Sequence, residues 1–159
     1  CFGAFDSDLG PAIEARTGKV LLAHDFRMTV PCWRWPDAQA LPTAPVSAVS
    51  AVTLIDAAGN ATVADPARWR LVADRHRPQI AATGAILPPV PVKGAAQVDF
   101  TAGFGAIWDA VPDDLAQAVM LLAAQYYEGR MGAHEGLPGS VESLIARWMP
   151  VRITAGGAR

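Results

Sequence analysis

Val98-Asp99-Phe100-Thr101-Ala102-Gly103-Phe104-Gly105 carries the clearest strand-and-turn signal of the chain. Val98 and Phe100 alternate with Asp99 and Thr101, the period of a half-buried strand. Gly103 and Gly105 then open backbone angles closed to other residues, so the strand can turn sharply away. A short link leads to Val111-Pro112-Asp113-Asp114, where proline suits the first helical position and the aspartates suit the positive end of the helix dipole. An apolar run follows from Leu115 to Tyr127 and closes on Glu128-Gly129-Arg130. Leu115, Val119, Leu122 and Tyr126 fall on one helical face, and Met120, Ala123 and Tyr127 form a second face beside it. A stripe that wide exceeds what one core contact needs. One face is therefore expected to pack in its own domain and the other to meet a second subunit. After a loop, Pro138 opens a second helix with a stripe of Val141, Leu144, Ile145 and Trp148, and Pro150 stops it.

Pro11 to Arg16 is a short helical pattern that Gly18 would end. Residues 20–30 alternate, with Leu22, His24, Phe26, Met28 and Val30 on one side and Ala23, Asp25, Arg27 and Thr29 on the other. The Pro- and Trp-rich segment 31–47 can be neither a helix nor a central strand. Residues 48–73 suggest a β-meander: a strand over 49–56, a turn at Ala57-Ala58-Gly59-Asn60, an answering strand over 61–64, and another over 69–72. A strand-like patch runs from Ile80 to Leu87, and Pro88-Pro89-Val90-Pro91 is expected as a rigid, exposed loop. The predicted fold class is α+β. An N-terminal helix remnant and two C-terminal helices (111–149) make the helical part, a small antiparallel β-region (18–101) is inserted between them, and 150–159 is a tail.

The order of these parts resembles the phage head–tail connector (adaptor) family, including its relatives in prophages and gene transfer agents. The resemblance rests on Val98 to Gly105, Val111-Pro112, Tyr127-Glu128-Gly129-Arg130, and Leu137-Pro138 with Leu144. Upstream, Thr17-Gly18-Lys19-Val20-Leu21-Leu22 looks like the family's first helix-to-strand junction. Leu41-Pro42-Thr43-Ala44-Pro45-Val46, with Val49, Val52, Asp56 and Gly59, looks like its middle section. Members of the family begin with about one more helix, and this chain starts at Cys1, so a preceding segment is expected. The resemblance implies a structural protein of the particle neck, assembled in the bacterial cytoplasm. It implies a ring of twelve copies between the portal and the stopper or tail-completion protein, with DNA passing through the channel. It also implies a portal-binding end made of Trp148, Met149, Val151, Arg152, Ile153 and Arg159. The most basic cluster, Arg75-His76-Arg77, becomes the candidate channel- or stopper-facing loop. Leu115, Val119, Met120, Leu122, Ala123, Tyr126 and Tyr127 become the candidate subunit interface.

Composition bounds the alternatives. A chain of 159 residues with 18% charged residues can bury a real core and is not a disordered polymer. Its net charge of −2 and interspersed signs are not the clustered basic surface of a phosphate-gripping protein. DNA would slide past such a surface. No apolar run approaches the roughly 20 residues that span a bilayer, so no membrane partner is expected. Cys1 and Cys32 make neither a disulfide framework nor a metal-ligand spacing, and Cys32 is expected as a buried, inert thiol.

Catalytic chemistry is sparse. His24 and Asp25 point to opposite faces of a strand, His76 lies between two arginines, and His134-Glu135 sits in a glycine-flanked loop. No phosphate-binding loop is present, no cofactor is expected, and no enzyme is predicted. Two rival readings stand beside the connector. One is a carbohydrate- or peptide-binding β module using Trp33, Trp35 and Trp69, against which Trp33 and Trp35 would cap the open end of a small core. The other is a small hydrolase or metal enzyme built on His134, Glu135 or His76.

Overall fold

The computed structural model describes residues 9–128 and 137–149. It shows the predicted α+β class: helices at both ends of the chain and antiparallel sheets between them. The described residues divide into two compact units, one helical (9–18, 113–128 and 137–149) and one β-rich (Lys19–Pro112).

The β-rich unit is built on β7 (Ala95–Ala102), whose residues alternate between half-buried and fully buried along its whole length. Ala96, Val98, Phe100 and Ala102 face inward. β7 pairs antiparallel with β1 (His24–Val30) on one side and with β3 (Val46–Ile55) on the other, and β4 (Ala61–Val63) adds to β3. Two register shifts interrupt the β3–β7 ladder, between Val46 and Ala48 and between Val49 and Ala51. The extra residues twist the strand locally and let β7 keep its strict alternation.

The remaining strands form a separate three-stranded sheet in the order β2 (Ala38–Ala40), β6 (Gln79–Ala82), β5 (Trp69–Val72). The expected meander over 48–73 is thus broken. β3 and β4 form a hairpin, but Pro66–Arg68 make a 3-10 turn, capped by the Asp65 side chain, that carries the chain to the other sheet. Proline at the start of that turn cannot donate to a ladder, so the hairpin ends there. The segment 31–47 contributes the short edge strand β2 and, past its last proline, the first two residues of β3. The core joins Val20, Leu41, Val46, Val52, Ala64, Ile80, Leu87, Val98 and Phe100, with Phe26, Met28, Trp33 and Trp69 packed around it. Phe26 stacks on Phe100 across the β1–β7 pair at 5.7 Å between ring centroids. Pro88, expected to be exposed, is buried, because its carbonyl accepts the Trp33 indole N–H at 2.8 Å. Cys32, expected to be buried, is exposed.

In the helical unit, α1 (Leu9–Thr17) ends as its glycine predicts. Gly18 adopts φ +64° and its N–H returns to the Glu14 carbonyl at 2.7 Å. α2 (Asp113–Glu128) packs against α1 and α3 (Gly139–Ile145), and α3 runs on into a 3-10 turn at Ala146–Trp148.

Candidate functional site

The outer face of α2 is the first surface of interest. Leu115, Ala118 and Leu122 are the buried residues of this helix, one helical turn apart. Leu115 and Leu122, placed among the interface candidates, are therefore core side chains of the single chain. Val119 and Ala123 are half-buried at the margin. Ala118 was missed, since alanine carries little hydrophobic signal. Met120 and Tyr127 project outward at 66% and 78% exposure, Tyr126 is also exposed, and Leu121 widens the patch. Tyr126 shares a helical face with Leu115 and Leu122, yet near the end of the helix it is exposed. Large apolar side chains left in a row on a well-packed helix mark an interaction surface more often than a random excess.

The second surface begins where α3 ends. Trp148, expected to bind the portal, is only 4% exposed. Its indole N–H donates to Asp114 Oδ2 at 2.6 Å, and Arg147 Nε reaches the same oxygen at 2.6 Å. The Arg147 guanidinium also lies over the Trp148 ring, 5.2 Å from its centroid. Trp148 is thus a core residue, because the first turn of α2 offers its N–H a charged acceptor. Met149 stays exposed, while Val151, Arg152, Ile153 and Arg159 lie outside the described residues. Asp114, explained from sequence by the helix dipole alone, instead joins the two C-terminal helices.

Burial pushes the Asp114 carboxyl upward, but the hydrogen bonds from Trp148 and Arg147 outweigh it and hold the group below its ordinary value. A carboxylate whose folded pKa is depressed stabilises the fold above its unfolded pKa of about 3.9, and that stabilisation is lost as pH falls through the lower, folded value. Trp148→Phe keeps most of the packing and removes the donor. It should cost about 1.5–3 kcal/mol at pH 7, the worth of a hydrogen bond to a charged group. Urea unfolding followed by circular dichroism should show that cost shrinking as pH drops below about 4. An equal cost at both pH values would show that packing alone was lost.

The third surface is the loop between β5 and β6. Arg75, His76 and Arg77 are exposed, and Asp74 Oδ1 accepts the backbone N–H groups of His76 and Arg77 at 2.7 Å each. These bonds hold the Asp74 carboxyl below its ordinary value. Lys19, singled out from sequence only within the first helix-to-strand junction, reaches this loop from below. Its ammonium donates to the Arg75 carbonyl at 2.6 Å and lies 3.3 Å from His76 Nδ1.

The rival sites fare differently. Trp33 and Trp69 pack against the core, and only Trp35 stands well exposed, so the three rings form no platform. His134 and Glu135 lie outside the described residues. Among the described residues, no group of three or more His, Cys, Asp or Glu side chains is placed to hold a metal. Among them too, no helix is long and apolar enough to cross a membrane. A shallow polar dish on the outer face of the larger sheet is lined by Asp25, Arg27, Ser50, Asp99 and Thr101. These side chains satisfy one another: Arg27 pairs with Asp99 at 2.6 Å and the Thr101 hydroxyl donates to Asp25 at 2.7 Å. This is a solvated sheet face.

Among the described residues the most prominent feature is the exposed apolar face of α2. The chain is similar to solved structures of a particle neck. A chain of the neck of a native gene transfer agent particle, computed with C12 symmetry, is 53% identical over 93% of this chain and 81% of that one, with a TM-score of 0.85. A chain of the neck of an empty particle, computed with C6 symmetry, is 49% identical over 98% and 87%, with a TM-score of 0.83. A chain of the virion of a native gene transfer agent particle is 51% identical over 98% and 83%, with a TM-score of 0.84. No protein-family model and no curated protein matches the chain. At this identity and coverage the chain belongs to the gene transfer agent head–tail connector family and is a structural component of the particle neck.

Proposed function

We propose that this protein is the adaptor of the neck: a ring of copies, twelve by the symmetry of its relative, seated on the portal and leaving a channel for DNA. The observation that carries the reading is the exposed apolar face of α2 on a chain about half identical to a neck protein of twelve-fold symmetric structure. Met120, Tyr126 and Tyr127 meet the neighbouring copy, with Val119 and Ala123 at the rim of the contact. Such a contact joins two different surfaces, and contacts of that kind close into rings when the rotation allows. The portal is gripped by Met149 and the tail, where Val151 and Ile153 supply apolar anchors and Arg152 and Arg159 supply charge. Arg75, His76 and Arg77 face the channel or the stopper. The role is structural and non-enzymatic, and DNA passes without sequence-specific contacts, in keeping with a net charge of −2.

Light scattering and negative-stain microscopy, on the protein alone and mixed with the portal protein of the same gene cluster, test this. Rings, or a complex formed only with the portal, are the expected result. Removing residues 150–159 should abolish portal binding and leave the circular dichroism spectrum unchanged. A chain that stays monomeric and ignores the portal would overturn the adaptor reading.

A further inference from the structure

Lys19 is 2% exposed, yet lysine is among the residues least often buried. An ammonium taken out of water costs several kcal/mol unless its donors are satisfied. Here one goes to the Arg75 carbonyl at 2.6 Å, across 56 positions of sequence, and His76 Nδ1 lies 3.3 Å away. An ammonium has no acceptor, so the imidazole nitrogen that meets it must accept, which places the ring proton on Nε2. The base of the lysine is equally fixed. Lys19 pairs with Ala44 in a parallel bridge, and the Val20 N–H returns to the Ala44 carbonyl at 2.9 Å. From the other side, Asp74 holds the His76 and Arg77 N–H groups. A loop of polar, exposed residues ordinarily belongs to the least stable part of a fold. This one is clamped from within and from below.

We infer that Lys19 is a positioning residue whose buried ammonium presets the Asp74–Arg77 loop in one conformation before any partner arrives. Packing alone does not call for a lysine there, since methionine fills a similar volume without an ammonium to satisfy. A preset loop presents Arg75 and Arg77 without the ordering cost that a floppy one adds to binding. That consequence rests on the proposed neck role; the positioning itself does not.

The test uses the whole chain. In Lys19→Met, trypsin should cut after Arg75 at least about tenfold faster than in the unaltered protein, with the circular dichroism spectrum retained, because opening the loop exposes that bond. An unchanged cutting rate in a folded Lys19→Met protein would overturn the inference. Should that variant fail to fold, nitrogen spectra of histidine-labelled unaltered protein decide. His76 should show an unprotonated, hydrogen-bonded Nδ1, and averaging between its two tautomers would overturn the inference. Loss of portal or ring assembly with a protected Arg75 bond would count against the neck role and not against Lys19.

Discussion

Met120→Glu combined with Tyr127→Glu should reduce rings to single subunits while leaving each subunit folded. Both side chains point outward from α2, at 66% and 78% exposure, so neither contributes much to the chain's own core. Exposed substitutions of this kind ordinarily change stability by about 0.5 kcal/mol or less. In the proposed ring the same face would be covered by the next copy. Burying a methionine or tyrosine side chain is worth about 1.5–3 kcal/mol, and a carboxylate forced into that contact adds a desolvation cost. Losing even about 2 kcal/mol weakens each contact about 30-fold. Every contact around a closed ring carries the same change, so the loss is repeated and assembly should fail altogether. Light scattering would read the mass directly. Rings that persist in the double variant would show that α2 does not form the contact between copies.

The largest effect on folding is expected at Gly103, where β7 ends. Its φ of +133° lies in a region side-chain-bearing residues avoid. A Cβ there would meet the backbone of Ala23 and Leu22 at 2.5 Å, well inside any real contact. Backbone atoms cannot swing away as a flexible side chain would, so Gly103→Ala must push β7 from the segment leading into β1. Backbone strain of about 1–3 kcal/mol and an overpacking cost of about 1–3 kcal/mol add up at this position. A domain with about 5–15 kcal/mol of total stability gives up much of it. The midpoint of thermal unfolding should drop by about 5–20 °C, or the variant should be recovered insoluble. A melting temperature within a few degrees of the unaltered protein would show that the close approach at Gly103 is not required.

Much of the fold is legible in the local pattern because its signals are local. The alternation of Val98, Asp99, Phe100 and Thr101 appears in β7 as strict alternation of burial, and Gly18 and Pro138 stand where helices end and begin. β5 lies over Trp69–Val72, as its residues suggest. The connector resemblance was legible because the order of these parts is itself carried by sequence. The candidate surfaces were less so. Periodicity marks which residues share a face, and cannot say which of two adjacent apolar faces the same chain covers. Leu115 and Leu122 turned out to be core, while Met120 and Tyr127 stayed outside. Nothing near Trp148 in sequence shows that its indole has a partner in Asp114, 34 positions away.

Local signals in the chain carry the type and order of most elements, the α+β class, and the points where glycine and proline turn or stop the chain. These follow from backbone sterics and side-chain period, which act within a few residues. Long-range packing sets the rest: β5 leaves the β3–β4 hairpin for a second sheet, Trp148 and Arg147 share one Asp114 oxygen, and Lys19 lies buried against the Arg75 loop. Each of those depends on which distant group supplies a hydrogen-bond partner or excludes water, and that is settled only when the whole chain is packed.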